Sequence, residues 1–328
     1  MATLQSTTVS TRLNLSPTTI CNCANGYVGI SSTCDRLTYS LTAYAWASSG
    51  AMICARINLA SAGTQNSALV FGGAAPAAAS AFTEAYNGTS WSSATGLITA
   101  RRGLAGAGTQ NAALSIGGST ATSPTVTTVT CVQAYNGTSW SACTGLTTAR
   151  FCLGGNGTTN AALAVGGGTP TSLACVESFN GSTWSVNTPT PTLQGSNSTN
   201  GITTVGTQNS ALAFGGFPGN ILVSFTYNGN GWSTGACLIY VRTGSSGAGT
   251  ATSALSFGGT CLIPLSCTEI YAGNVWSITT PLITARSCAT GAGTQTSALF
   301  AGSPTTTEKF SATGGCSSLT TPFSKPLP

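Results

Sequence analysis

The stretch Gly108-Thr109-Gln110-Asn111-Ala112-Ala113-Leu114 decides how the whole chain is read, because it does not stand alone. Its pattern returns at Gly63 to Leu69, Gly157 to Leu163, Gly206 to Leu212, Gly249 to Leu255 and Gly293 to Leu299, with spacings of 45, 49, 49, 43 and 44 residues. A repeat of this length is one supersecondary unit that cannot bury its apolar face alone and must stack on copies of itself.

Other landmarks keep the same phase. Each copy runs into an apolar stretch ending in Gly72-Gly73, Gly117-Gly118, Gly166-Gly167, Gly215-Gly216 or Gly258-Gly259, with Ala301-Gly302 as a weaker last copy. An aromatic residue, an Asn-Gly turn and a tryptophan follow: Tyr86-Asn87-Gly88 to Trp91, Tyr135-Asn136-Gly137 to Trp140, Phe179-Asn180-Gly181 to Trp184, and Tyr227-Asn228-Gly229 to Trp232, while Tyr271 to Trp276 varies the turn. Units close with arginine after small residues, at Arg101, Arg150, Arg242 and Arg286. Asn-Gly between alternating apolar residues signals a hairpin, and Gly, Thr and Ser disfavour helix. One unit therefore reads as strands near 103–109, 112–116, 127–135 and 140–146, which is one four-stranded blade of a β-propeller.

These residues resemble the kelch repeat: an apolar strand ending in Gly-Gly, a later Tyr, a Trp at fixed distance and an arginine opening the next unit. The variant Gly-Thr-Gln-Asn-Ala-Ala-Leu with Tyr-Asn-Gly-Thr-Ser-Trp is similar to kelch-like repeat proteins of environmental bacteria and bacteriophages. The resemblance implies an all-β ring of four-stranded blades.

Arginine landmarks at Arg56, Arg101, Arg150, Arg242 and Arg286, with a departure at Leu193-Gln194, give six units. Arg12 sits 44 residues before Arg56, and 34 residues separate Arg12 from Trp46, as they separate Arg150 from Trp184. The expectation is a single propeller over 1–328 with seven blades at 12–55, 56–100, 101–149, 150–193, 194–241, 242–285 and 286–328. Residues 1–11 would supply a closing strand to the C-terminal blade, whose Phe310 lacks a following tryptophan. Six blades preceded by an arm at 1–36 is the alternative. Trp46, Trp91, Trp140, Trp184, Trp232 and Trp276 are read as inter-blade core.

Only 10 Lys+Arg and 5 Asp+Glu occur in 328 residues, about 5% charged where roughly 25% is usual, and there is no histidine. Relays and metal sites that need histidine are excluded. Glu84, Glu177, Glu269 and Glu308 share one repeat position and the arginines another, so ten of fifteen charges are read as structural Glu–Arg pairs. Asp35 is the single acid left over, whereas glycoside hydrolysis needs two carboxylates. Neither catalysis nor a cofactor is expected. The net charge of +5 is spread along the chain, so no basic stripe tracks nucleic acid.

Thirteen cysteines is an odd number. Cys131 with Cys143, and Cys261 with Cys267, flank short hairpins and are disulfide candidates, while Cys21, Cys23 and Cys34 are placed to staple the first unit. The competing reading is buried thiols packed as small hydrophobes. Short paired ligand spacing is approached only at Cys21 and Cys23, so no metal site is expected. Asn87, Asn136, Asn156, Asn180 and Asn197, with Asn14, match the glycosylation sequon, although a turn role suffices for Asn87, Asn136 and Asn180.

The chain lacks an apolar window of about 18 residues, and Met1 to Ser16 has no signal-peptide pattern. The functional expectation is a non-enzymatic interaction module of an extracellular assembly, a virion or tail-associated attachment protein, with protein partners or copies of itself. A carbohydrate-binding propeller that recognises surface glycans and a cytoplasmic kelch-type adaptor are the alternatives.

Overall fold

The computed structural model describes residues 28–29, 36–39, 43–75, 78–121, 125–169, 171–192, 201–216, 222–313 and 321–322. Two compact units result, one of Tyr44–Ser311 and one of Met1–Ala43 with Ala312–Pro328. In the smaller, Arg36–Tyr39 lies between Val28–Gly29 and Thr321–Pro322 in a three-stranded sheet.

The larger unit holds six antiparallel four-stranded sheets. Innermost strands are Ala60–Thr64, Ala105–Thr109, Gly154–Thr158, Thr203–Thr207, Ser246–Gly249 and Thr290–Thr294, for blades I to VI. Each blade then steps outward. In blade II the order is Ala105–Thr109, Ala112–Ile116, Val132–Tyr135 and Trp140–Cys143, with the outer two strands shorter than the sequence suggests. The Thr-Gln-Asn turn forms because Gly108 takes φ +102, and a Cβ there would lie 2.1 Å from the Ala112 carbonyl oxygen. Only glycine fits.

The described residues form six blades, not the expected seven. The strand Ala43–Ser49, assigned by sequence to a blade at 12–55, is instead the outermost strand of blade VI, beside Thr307–Thr313. Trp46 is therefore the tryptophan missing after Phe310: their rings lie 5.1 Å apart, and Tyr44 stacks on Phe310 at 5.2 Å. Six tryptophans serve six blades. The closing strand assigned to 1–11 lies outside the described residues. Among the described residues no ladder runs from one blade to the next, so hydrogen-bonded sheets do not join the blades into a closed ring; neighbouring blades meet through packed faces and isolated hydrogen bonds.

That packing forms six apolar clusters, one at each blade junction. Tryptophans build them: Trp140 of blade II meets its own Tyr135 at 5.0 Å and Phe71 of blade I at 5.0 Å, and Trp276 bridges Tyr271 and Phe214 in the same way. Five of the six are buried and Trp232 is half-buried, so their role is core. Glutamines of the opening repeat add polar staples across the same junctions. Gln110 Nε2 donates to the Ala68 and Tyr86 carbonyls of blade I at 3.0 and 2.7 Å, and Gln65 reaches Ala298 and Phe310 of blade VI at 3.1 and 2.6 Å.

Candidate functional site

Five of the six blades are entered through a loop that an arginine anchors, at Arg56, Arg101, Arg150, Arg242 and Arg286. Arg56 Nη1 donates to the carbonyls of Gly72 and Phe82 at 2.8 and 2.6 Å, and Nη2 meets Glu84 Oε1 at 2.6 Å. Glu84 in turn accepts from the backbone N–H of Ile53 at 2.7 Å. The bracket recurs with Arg150–Glu177, Arg242–Glu269 at 2.5 Å and Arg286–Glu308 at 2.7 Å, all buried. Burial lowers the pKa of Arg56, Arg242 and Arg286, and the partner carboxylate opposes that shift. In blade II, Arg101 has Ser115 Oγ at 2.5 Å instead of an acid, and Gln133 Oε1 accepts from Ile98 N–H at 3.1 Å. The four described acids are thus occupied inside the blades.

What the brackets display is apolar. Ile53, Ile98, Ile239 and Ile283 each have the backbone N–H held by the acid or glutamine, while their side chains are 55%, 62%, 46% and 58% exposed. They occupy one repeat position, so the ring carries them on a single face. Thr147 takes this position in blade III. Sequence reading missed them, although each lies three residues before its arginine.

Five residues beyond each of these positions, the chain turns into the axial channel. Asn58, Gly103, Cys152, Gly244 and Cys288 adopt φ between 54° and 59°. They pass hydrogen bonds from blade to blade: Cys152 N–H to Gly103 O at 2.6 Å, Gly103 N–H to Asn58 O at 2.9 Å, Asn58 N–H to Cys288 O at 2.7 Å, and Cys288 N–H to Gly244 O at 3.0 Å. In blade IV the position is Gly201, where a Cβ would stand 2.3 Å from the Cys152 carbonyl oxygen. These residues line a cavity of about 100 Å³ at this end of the channel. Deeper in, Ser61 Oγ donates to Gly291 O at 2.8 Å, and Asn156, at a position that is Ala or Val in the other blades, donates to Thr207 O at 2.7 Å.

Other sequence candidates separate. The Cys131–Cys143 and Cys261–Cys267 disulfides are not formed, and all four are thiols. Register places Cys143 opposite Val132, so alternation sends Cys131 to the other face of the sheet. A tight hairpin pairs Cys261 with Ile263 and leaves Cys267 beyond it, where its carbonyl accepts from Arg242 at 2.8 Å. Asn156 is buried. Asn87, Asn136 and Asn180 are exposed, and each carboxamide oxygen accepts backbone N–H bonds at 2.9–3.0 Å that build the turn. Asn14, Asn197, Cys21, Cys23 and Cys34 lie outside the described residues. No helix among the described residues is long and apolar enough to cross a membrane.

No family model matches the chain, and no curated protein matches it. Among solved structures it is similar to one described as the structure of YjhT, at 12% identity with a TM-score of 0.65, covering 80% of this chain and 95% of that one. The likeness establishes the β-propeller fold.

Proposed function

We propose that the chain is a kelch-like, non-enzymatic interaction module, working on an extracellular assembly as a virion or tail-associated attachment protein. The observation that carries the interaction role is the ring of exposed isoleucines at positions 53, 98, 239 and 283. Buried Glu–Arg brackets fix the backbone beneath three of them and Gln133 does so at Ile98, so apolar surface is presented on a rigid frame at recurring points. Repeated exposed apolar side chains on one face are the signature of a docking surface rather than of a solvated end. Support for a non-catalytic role comes from the acids: Glu84, Glu177, Glu269 and Glu308 are buried in structural contacts, which leaves no described carboxylate to move a proton on substrate.

Co-sedimentation of the native protein with particles from its source, followed by the combined Ile53→Ser, Ile98→Ser, Ile239→Ser and Ile283→Ser variant, tests the reading. Expected is particle association that the variant loses while its melting temperature holds. Recovery of the native chain free in a reduced cytoplasmic fraction would overturn the assembly role. An unaltered association in the quadruple variant would overturn the docking face.

A further inference from the structure

The Asn-Gly turns between the third and fourth strands hold reactive groups as well as reversing the chain. Asn87, Asn136, Asn180 and Asn228 are exposed, and each is followed by a glycine at φ between 92° and 98°. Each has its side-chain oxygen under the backbone N–H groups two and three residues ahead, at 2.9–3.0 Å. In blades I and II a hydroxyl joins them: Thr89 Oγ1 donates to Asn87 Oδ1 and Thr138 Oγ1 to Asn136 Oδ1, each at 2.9 Å. In blade III the nearest hydroxyl donor on Asn180 Oδ1 is that of Thr183 at 3.4 Å, and in blade IV Asn230 and Gly231 bring none.

An amide oxygen held by two or three donors polarises its carbon, and the donors stand where negative charge develops when a nucleophile adds there. The nitrogen of the following residue is such a nucleophile, already tethered so that a five-membered ring closes without an encounter. Glycine leaves that nitrogen unhindered. The same dipeptide elsewhere lacks the cradle. Asn230-Gly231 is exposed but has no donor on the Asn230 side-chain oxygen among the described residues, and Asn156-Gly157 is buried in a strand with Asn156 Nδ2 tied to Thr207 O at 2.7 Å. Asn274, in the equivalent turn of blade V, is followed by Val275.

We propose that the folded ring modifies itself at these turns, Asn87 and Asn136 first and Asn180 and Asn228 more slowly, by converting asparagine to aspartate and isoaspartate. The glycine nitrogen bonds to Cγ and gives its proton to water or hydroxide; the Cγ–Nδ2 bond breaks, and ammonia leaves after taking a proton from solvent. Water then opens the cyclic imide at either carbonyl. Attack at the side-chain carbonyl gives aspartate, and attack at the backbone carbonyl gives isoaspartate, in which the chain runs through the former side chain. Water is the only co-reactant, and each event exchanges a neutral amide for a carboxylate. Four conversions lower the net charge from +5 to +1. The fourth strand of each blade runs from its turn toward the arginine loops, so the new charges gather on the end of the ring away from the exposed isoleucines and change how that end meets charged surfaces.

The test is a time course on the folded full chain at mildly alkaline pH, read by peptide mapping with mass spectrometry and by enzymatic methylation of isoaspartate. Expected is conversion at Asn87 and Asn136 ahead of Asn180 and Asn228, with Asn230, Asn156 and Asn274 trailing. Thr89→Val removes one donor and should slow Asn87 about tenfold, less than in an enclosed oxyanion site because the turn is wet, with Asn136 in the same molecule as the unaltered standard. Thr138→Val should do the reverse, so a folding failure in one variant leaves the other to decide. Urea that unfolds the chain should erase the difference between Asn87 and Asn230. Conversion of Asn230 as fast as Asn87 in the folded chain, an unchanged Asn87 rate in folded Thr89→Val, or no conversion at the four turns overturns the proposal.

Discussion

Blade I and blade II put an arginine in the same place and answer it with different partners. Arg56 and Arg101 both donate to the carbonyl sixteen residues ahead, Gly72 at 2.8 Å and Gly117 at 2.6 Å, and both take a second carbonyl on the third strand's approach, Phe82 or Cys131. Only Arg56 adds a carboxylate. In blade II the acid is Gln133, and Ser115 hydroxyl takes the guanidinium's remaining hand at 2.5 Å. The contrast teaches that the carbonyl cradle places the arginine, while the carboxylate balances charge and ties down the entering loop. Burial lowers the Arg101 pKa, and Cys131 rather than a carboxylate opposes the shift.

The sharpest way to break this comparison is to delete the acid. Glu84→Ala leaves a buried cation unpaired and two loop N–H groups unmet, so chemical denaturation should show a loss of about 3–5 kcal/mol. Gln133→Ala in blade II removes a neutral partner and should cost about 1–3 kcal/mol. Equal losses would mean that the carboxylate does no electrostatic work. Replacing the cation sharpens the point: Arg56→Met strands Glu84 and should cost at least about 2 kcal/mol more than Arg101→Met, where no acid is left behind.

A smaller effect belongs to the channel. The Cys152 thiol has its pKa raised by burial to about 12 from 9.0, so the folded state keeps a proton that the unfolded chain releases. Stability from this group is complete below pH 9 and falls as pH rises toward 12, by up to about 1.4 kcal/mol per unit. Melting curves at stepped alkaline pH should show that slope flatten in Cys152→Gly. Smallest is the junction staple: Gln110→Ala should destabilise by about 1–2 kcal/mol through the Ala68 and Tyr86 carbonyls it unpairs, whereas a substitution at Thr159, which holds the equivalent place in blade III, has no such staple to lose.

Much of the ring was legible because its causes are local and repeated. Asn87-Gly88, Asn136-Gly137 and the Gly-Thr-Gln-Asn turn dictate hairpins wherever they recur, and the Glu and Arg columns mark positions that pair in space. The blade number was misread at Trp46, since phase along the chain cannot tell a tryptophan that opens a new blade from one that fills an old one. Counting tryptophans against aromatic partners would have decided it: Phe310 had no Trp, and Trp46 had no complete blade. The disulfide readings failed on one-residue register, which sequence spacing does not resolve. The channel thiols were invisible for a different reason. Cys152 and Cys288 are 136 residues apart, and only the ring brings their positions to one cavity.

Ala43–Ser49 has a consequence for how the molecule is made. It is synthesised before any other strand of the six blades, yet its sheet partners at 290–313 come off the ribosome after blades I to V. Tyr44 and Trp46 must therefore stay unburied through most of translation, carrying an aromatic strand that invites mispairing until its neighbour arrives. Contacts of such long sequence separation make folding slow. A circular permutant that opens the chain between blades V and VI and joins the natural ends would bring this strand and blade VI together early, and its refolding should be faster than that of the natural order.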